Sequence, residues 1–452
     1  MPDETSDPYT RGLAIRKPPQ TLGARLRYLG PGVIVSGSIV GSGEIILTSS
    51  LGAAAGFALF WWVLFSCWIK SLIQAELSRY IVVSGDTYLR AINRIPGKVW
   101  GPRGKVSWTI WLGLLAFIPG VIGVSGILGG AAQALNLLIP ALDATWSTVI
   151  VGIAVALILG SGGYRGLEKI MVVLVMSFTA ATLTCAIAMQ WTPFSVTAQD
   201  IGAGLSFDFP MEYLVLALAV YGYTGVNSGE TSAYTYWCIE KGYPAFIGDR
   251  REDDADWLTR ARGWVGVLHM DVWLTLIILT CATIPFYLLG AGVLNTLELQ
   301  PDGLETIAVL SEMFTRTLGP WALWLFSVGA FFILFSTTLA AIGGGGRFVP
   351  DYLIELGFFN REELHLRLNL IRIYVIVVPL LSVISYLFVQ NPVTLVSVGA
   401  ITGALFLPLQ SGATLFLQHR YLPKDIRPPV AITFAVATIF VVQVFLAALV
   451  IG

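Results

Sequence analysis

Two short polar stretches interrupt the long apolar segments of this chain. Residues 41–44 read Gly-Ser-Gly-Glu within the first apolar segment, and residues 227–230 read Asn-Ser-Gly-Glu within the sixth. A glycine inside a helix costs roughly 0.5–1 kcal/mol relative to alanine, and an ionisable side chain at membrane depth costs several times more. Paired interruptions at corresponding places in two halves of a chain indicate the substrate site of a transporter with inverted repeats. We therefore predict a substrate site between these stretches, near the middle of a membrane.

The residue types in these stretches allow two kinds of ion chemistry. The free N–H groups and positive dipole ends of two half-helices would attract an anion, and serine hydroxyls and an asparagine amide would donate hydrogen bonds to it. Two ionised glutamates would instead ligate a hard cation; protonated, they would carry a proton, and each could simply cap its own half-helix. The predicted substrate-binding residues are Gly41, Ser42, Gly43, Glu44, Thr48, Tyr223, Asn227, Ser228, Gly229, Glu230 and Thr231, and the predicted coupling residues are Glu44, Glu230 and Lys70.

Three of these residues have a second interpretation. Lys70 lies near the middle of the second apolar segment, either as a positive charge beside an anion path or as a partner of Glu44 or Glu76. Thr48 shares a helix face with Glu44, and Thr231 directly follows the second glutamate. Each threonine either faces the site or bonds to its own helix.

The composition is that of a polytopic membrane protein. Of 452 residues, 56% are hydrophobic and only 12% are charged, against about 25% charged in a soluble domain. The formal net charge of -1 gives no field that would attract nucleic acid. The four cysteines lie in apolar segments without a CxxC motif, so we expect neither disulfides nor a metal cluster, and no cofactor.

Eleven apolar segments are long enough to span a membrane. They cover roughly 30–55, 57–83, 108–135, 146–162, 170–191, 213–239, 268–291, 320–343, 368–389, 393–417 and 430–451. Lys and Arg concentrate in every second loop, whereas 136–145, 192–212 and 390–392 have none. The positive-inside rule then predicts a cytoplasmic N-terminus, an extracytoplasmic C-terminus and a place in a bacterial-type inner membrane.

The order of these segments predicts an all-α, LeuT-like fold with two five-helix repeats of opposite orientation. Residues 1–28 would form a cytoplasmic tail, 29–191 the first repeat, 192–417 the second, and 418–452 a cytoplasmic linker and an eleventh helix. Spans one and six would be the broken helices. We also expect a short external amphipathic helix over 305–317 and a surface helix in the charged segment 248–264.

Several motifs outside the two breaks resemble the Nramp family of divalent-metal transporters. They are Gly-Pro-Gly at 30–32, Leu-Gly-Ala-Ala-Ala-Gly-Phe at 51–57, Leu-Ile-Gln-Ala-Glu-Leu-Ser-Arg at 72–79, Val-Ser-Gly at 83–85, Tyr-Arg-Gly-Leu-Glu-Lys at 164–169 and Gly-Arg-Phe-Val at 346–349. The breaks themselves depart from the family. The resemblance implies that the metal-binding aspartate of the family corresponds to Gly41, its thioether ligand to Asn227, and its proton-transfer histidine to Gly229. The histidines of this chain (His269, His365 and His419) lie in or beside predicted cytoplasmic loops.

Loss of these ligands changes the expected substrate. Thioether sulfur selects softer transition metals, whereas carboxylate and carbonyl oxygens suit hard ions. We expect a monomeric secondary transporter, and not an enzyme, that carries a small inorganic anion such as bicarbonate with H⁺ or Na⁺ by alternating access. The alternative is uptake of a divalent cation (Mg²⁺, Mn²⁺ or Fe²⁺) through Glu44 and Glu230.

Overall fold

The chain folds into a bundle of long apolar helices. The structure, a computed structural model, describes residues 15–29, 32, 41–162, 164–250, 254, 256–360 and 363–451. Seven helices in this part of the chain are long and apolar enough to cross a membrane: Trp108–Leu138, Val173–Trp191, Trp257–Leu294, Ala322–Glu355, His365–Val389, Pro392–Tyr421 and Val430–Val450. The protein is therefore a multi-pass membrane protein, and the count of eleven spans stays a prediction.

The first half of the chain contains eight helices in its described part. They are α1 (Leu22–Leu26), α2 (Ser49–Ala55, preceded by a π-helical turn over Gly43–Thr48), α3 (Phe60–Ser84), α4 (Tyr88–Asn93), α5 (Trp108–Leu115), α6 (Phe117–Leu138), α7 (Ala144–Gly160) and α8 (Tyr164–Ala188). A hairpin of β1 (Lys98–Gly101) and β2 (Gly104–Ser107) precedes α5, and its antiparallel register pairs Val99 with Val106. This hairpin is the exception to the predicted all-α fold, because its strands have only four residues each and give no clear period-2 pattern.

The second half begins with a short surface helix and a broken helix. These helices are α9 (Ala198–Gly204), α10 (Leu214–Tyr223), α11 (Ser228–Lys241), α12 (Tyr243–Ile247), α13 (Trp257–Leu289), α14 (Thr306–Leu318), α15 (Ala322–Glu355), α16 (Leu364–Val389), α17 (Pro392–Tyr421) and α18 (Val430–Ile451). The helix α14 confirms the predicted helix over 305–317. The separate surface helix predicted in 248–264 is wrong, because residues from Trp257 onward form the start of α13.

The halves pack through their long helices. Helix α6 lies against α15 and α17, α10 lies against α17, and α3 lies against α13. The π-helical turn Gly43–Thr48 contacts α10, α13, α14 and α17, so it sits inside the bundle. Ile45, Ile46 and Leu47 in that turn are fully buried. The surrounding helices therefore hold the first broken segment in a fixed position against the second.

Each end of the bundle has its own set of contacts. At the end that carries the Lys- and Arg-rich loops, which we call the basic end, the Arg94 guanidinium lies over the Tyr421 ring and Arg262 donates to the Asp425 carbonyl. At the opposite end, Gln133 Nε2 donates to the Gly303 carbonyl at 2.9 Å, and the Ile307 N–H donates to Gln133 Oε1 at 3.0 Å. These bonds tie α14 and the segment before it to α6.

Candidate functional site

The second broken helix is interrupted at Thr224–Asn227. Helix α10 ends at Tyr223, Thr224 has an extended backbone, and Gly225 has a φ of 69°. A side chain at Gly225 would also place its Cβ 3.0 Å from Cys67 Cα in α3. Only glycine fits both constraints easily. The interruption therefore precedes the predicted one: Ser228, Gly229 and Glu230 form the first turn of α11 rather than the break itself.

Both predicted glutamates cap the half-helix that they begin. Glu230 Oε2 accepts the Asn227 N–H at 3.1 Å, while Asn227 Oδ1 accepts the Glu230 N–H at 2.9 Å, which is a capping box. In the first break, Glu44 Oε2 accepts the Gly41 N–H, also at 3.1 Å. The same contact three residues back occurs in both breaks, so the two repeats share a local structure as well as a sequence pattern.

Glu44 makes further contacts beyond this cap. Its Oε1 accepts the Gly225 N–H and the Thr283 hydroxyl, each at 3.3 Å, and its side chain is fully buried. Thr48 adds a second link between the breaks, since its hydroxyl donates to the Gly43 carbonyl at 2.9 Å and lies 2.8 Å from the Thr224 hydroxyl. Glu44 and Thr48 thus hold the first broken helix against the second.

A cavity of about 70 Å³ lies between the two breaks. Its lining combines polar groups from the breaks with apolar groups from α6 and α15. The lining residues are Ser42, Gly43, Val124, Ile127, Tyr223, Asn227, Glu230, Thr337 and Ala341. Glu230 contributes the one carboxylate of this set, so the cavity has a polar wall, an apolar wall and a single acidic group.

Five predicted site residues line this cavity, and six lie around it. Ser42, Gly43, Tyr223, Asn227 and Glu230 are in the lining. Gly41, Glu44, Thr48, Ser228, Gly229 and Thr231 are not in it, and their predicted contact with substrate stays a prediction. The Thr231 side chain is buried and its hydroxyl has no hydrogen-bond partner in the part of the chain that the structure describes, whereas Gly229 is exposed.

Four lining residues were missed by sequence reasoning: Val124, Ile127, Thr337 and Ala341. Each lies in a long apolar helix, where its residue type does not distinguish it from neighbours. The spacings of three (124 and 127) and four (337 and 341) put each pair on one helix face. Only the packing of α6 and α15 against the breaks identifies which face lines the cavity.

Thr337 occupies the space beside Gly41. A Cβ at Gly41 would lie 2.2 Å from Thr337 Oγ1 and 3.1 Å from its Cγ2. The Thr337 hydroxyl itself donates to the Ile333 carbonyl of its own helix at 2.9 Å. Position 41, which the family resemblance assigns to a metal-binding aspartate, therefore has no room for a side chain as long as Thr337 stays in this conformation.

Lys70 is fully buried beside the second break. Its ammonium donates to the Tyr221 carbonyl at 2.5 Å and also to the Thr224 carbonyl, and it lies 5.2 Å from the centre of the Tyr221 ring. Glu76, one of the two alternative partners considered for Lys70, pairs instead with Arg79 at 2.9 Å. In the described ranges, Lys70 has no ion pair with Glu44 either. The lysine is therefore held by backbone carbonyls.

The site offers few ligands to a metal ion. Among the described residues, no group of three or more His, Cys, Asp or Glu side chains is placed to hold a metal. His269 lies in α13 beside Glu76, with 3.5 Å between His269 Nε2 and Glu76 Oε1, and does not line the cavity. Hydrogen-bond donors and a single carboxylate dominate the site.

A helix broken at Thr224–Asn227 and a helical segment that begins after Gly41 meet at one cavity within a bundle of apolar helices, which is the arrangement of the LeuT fold. Solved structures with the same fold include a mutant of the Eremococcus coleocola manganese transporter, with a TM-score of 0.67 and 15% identity, covering 97% of this chain and 89% of that one. MhsT in complex with L-phenylalanine gives a TM-score of 0.55 and 16% identity, covering 96% of this chain and 99% of that one. Mhp1, a nucleobase-cation-symport-1 family transporter, gives a TM-score of 0.56 and 16% identity, covering 93% of this chain and 89% of that one.

The chain belongs to the Nramp family. The family profile described as natural resistance-associated macrophage protein-like matches residues 32–452. An uncharacterized protein of Pasteurella multocida (strain Pm70) is 25% identical over 333 residues, which are 72% of this chain and 70% of that protein. The protein is thus a transporter and not an enzyme, and the identification from sequence motifs is confirmed.

Proposed function

We propose that this transporter carries a small inorganic anion of the size and hydrogen-bonding type of bicarbonate. The observation that carries this proposal is that two half-helices begin at one cavity, at Ser42-Gly43 and at Asn227-Ser228. The N-terminal end of a helix presents unpaired N–H groups and about half a positive charge. Two such ends beside one cavity favour a bound anion, and Ser42 and Asn227 supply further polar groups.

The charges around the cavity suit coupling to a proton. Glu230 lines the cavity, whereas the Glu44 carboxylate accepts hydrogen bonds from backbone N–H groups and a threonine hydroxyl. An ionised Glu230 would repel an anion bound beside it, and at low dielectric such repulsion is strong. Binding of the anion and protonation of Glu230 would therefore favour each other, which is the linkage that H⁺ symport requires. Na⁺ is the other candidate for the coupling ion.

The transport cycle would be alternating access, with the half-helices moving against the remaining helices around the cavity. We place the basic end in the cytoplasm, because Lys and Arg favour cytoplasmic loops. The N-terminus would then be cytoplasmic and the C-terminus extracytoplasmic, in a bacterial-type inner membrane. The cavity is lined by residues of one chain, which suits function as a monomer.

The second candidate substrate is a divalent cation. Membership in the family and likeness to solved manganese transporter structures favour it. Hard divalent cations take about six to eight oxygen ligands, usually with several carboxylates or waters. The cavity provides one carboxylate, and the space beside Gly41 is filled by Thr337. The anion is therefore our first proposal and the cation the alternative.

Transport into proteoliposomes distinguishes the two substrates. We expect uptake of radiolabelled bicarbonate above that of protein-free liposomes at alkaline external pH, where little dissolved CO₂ is present to cross the bilayer. A pH-sensitive dye inside the vesicles would report whether protons enter with the anion. Liposomes loaded with a Mn²⁺-sensitive dye would show no quench above background.

The variant Glu230→Gln separates the hypotheses further. Glutamine mimics a protonated carboxyl, so bicarbonate would still bind, and proton entry with it would stop. Glu212→Gln, at an exposed position outside the cavity, is the matched control and should behave as the wild type. Rapid Mn²⁺ quench that disappears in Glu230→Gln, with no bicarbonate uptake, would establish the cation alternative.

A further inference from the structure

The end of helix α10 presents its last carbonyls to a buried lysine. Lys70 donates to the carbonyls of Tyr221 and Thr224, the residues at the point where α10 stops. The last carbonyls of a helix lack intrahelical partners, and the dipole places about half a negative charge at that end. Two oxygens that converge on one point beside a helix C-terminus form a site for a cation, and here the ammonium fills it.

Broken helices in transporters commonly use such carbonyls to bind the coupling cation. Half-helix N-termini face the substrate, while freed carbonyls and half-helix C-termini coordinate Na⁺ or H⁺. Both kinds of end occur here within one break, since α11 begins at the cavity and α10 ends at Lys70.

A second observation also indicates a polar site at this point of α3. Gln74 lies one helical turn after Lys70, on the same face of the helix. Its side chain is fully buried, and among the described residues neither its amide oxygen nor its amide nitrogen has a hydrogen-bond partner. Buried amides without a protein partner usually contact water or an ion. The face of α3 that carries Lys70 therefore also carries a buried amide that is available to a further polar group.

We propose that Lys70 is a tethered cation that occupies the coupling-cation position of the second broken helix. The wild-type protein then binds no Na⁺ at this position, and of the two coupling ions left open by the proposed function only H⁺ remains. Truncation of Lys70 would leave the carbonyls of Tyr221 and Thr224 unpaired and open a site for a monovalent cation. The inference rests on the proposed function only for the identity of the coupling ion, and not for the substrate.

The test is cation-dependent stability of the purified full-length protein, without transport substrate. Thermal unfolding is measured in NaCl and in N-methylglucamine chloride of equal ionic strength. The wild type should unfold at the same temperature in both salts. Lys70→Ala should unfold at lower temperature in N-methylglucamine and regain stability in Na⁺, with a saturable rise in Tm of about 2–4 °C or more.

Lys70→Met is the matched control, because methionine fills much of the same space without a charge or a donor. It should be destabilised equally in both salts. Equal unfolding temperatures of Lys70→Ala in the two salts would overturn the proposal, since the lysine would then only satisfy the carbonyls. Should Lys70→Ala not fold, equilibrium binding of radiolabelled Na⁺ to the wild type decides: saturable binding overturns the proposal, and its absence supports it. None of these outcomes depends on bicarbonate or Mn²⁺.

Discussion

At the scale of residues, two identical glutamates in matching motifs lie in different surroundings. Glu44 and Glu230 each accept a backbone N–H from three residues earlier, at 3.1 Å in both cases. Glu44 also binds Gly225 and Thr283, whereas Glu230 faces the cavity. The three donors hold the Glu44 carboxylate in place. The Glu230 carboxylate accepts the Asn227 N–H and also faces the cavity, so it can exchange a proton there. We therefore predict that Glu44 acts mainly as a structural acid and Glu230 as the coupling acid.

The contact between Gly41 and Thr337 gives the first prediction. Gly41→Ala should lower the unfolding free energy by about 1–3 kcal/mol, because its Cβ would lie 2.2 Å from the Thr337 hydroxyl. Thr337→Ala in the same chain removes that hydroxyl and should restore most of the loss, with a coupling energy of about 1 kcal/mol or more. Thermal unfolding of the wild type, both single variants and the double variant measures this coupling.

Thr338→Ala is the matched control for that cycle. Thr338 is also buried in α15, and its hydroxyl bonds to the Leu334 carbonyl of its own helix at 2.8 Å. It should not rescue Gly41→Ala. Equal rescue by both threonine variants would show that α15 relaxes generally and that Thr337 has no specific contact with position 41.

At the scale of elements, the second break depends on one glycine that the sequence pattern does not single out. The motif at 227–230 attracts notice because it carries a glutamate, yet the chain leaves the helix at Thr224 and turns at Gly225. Gly225 follows an apolar helix and precedes a valine, so its neighbours carry no turn signal. Its role comes from its positive φ and from the close approach of α3, which is a tertiary contact.

Gly225→Ala is therefore expected to destabilise the protein by about 1–3 kcal/mol, since alanine is strained at a φ of 69° and its Cβ would lie 3.0 Å from Cys67 Cα. Gly344→Ala in α15 is the comparison, because a Cβ there meets no atom within 4 Å. That variant should raise stability by about 0.5–1 kcal/mol, as alanine does inside a helix. Thermal unfolding should therefore show a lower unfolding temperature for Gly225→Ala and a higher one for Gly344→Ala. An unchanged unfolding temperature for Gly225→Ala would mean that the break can adopt a different backbone conformation.

At the scale of the whole molecule, apolar length predicted the helices, and tertiary packing determined the site. Spans such as 108–135 and 430–451 correspond to Trp108–Leu138 and Val430–Ile451, because only helices satisfy the backbone within a bilayer. Which faces of α6 and α15 meet the breaks depends on how these helices cross. The length of an apolar segment does not indicate this. Helix α13 begins at Trp257 rather than 268, because its first turns are polar and lie outside the apolar run.

Exposed and partly exposed residues extend along α11 from the cavity toward the basic end. Gly229, Ala233, Trp237 and Glu240 recur at helical spacing along α11 and are exposed or partly exposed. Beside them, Arg347 of α15 lies 5.1 Å from the Trp237 ring centre and 3.5 Å from the Glu240 carboxylate. Toward the opposite end, Gln133 bonds to the segment before α14 and to its first turn, and Ile45–Leu47 are fully buried. We therefore predict that the cavity is reached from the basic end, which is an inward-open state with that end in its proposed place in the cytoplasm.

Sidedness of cysteine labelling tests this state. In a chain with Cys281, the exposed native cysteine, changed to serine, Gly229→Cys should react with a membrane-impermeant thiol reagent in inside-out vesicles and not in right-side-out ones. Thr296→Cys, exposed at the opposite end, is the control for sidedness and should react only in right-side-out vesicles. A Cβ at Gly229 would meet only Asn227 Oδ1, at 3.3 Å, so the added thiol requires this capping side chain to move by a few tenths of an ångström. Reaction of both cysteines from the same side would contradict access to the cavity from the basic end.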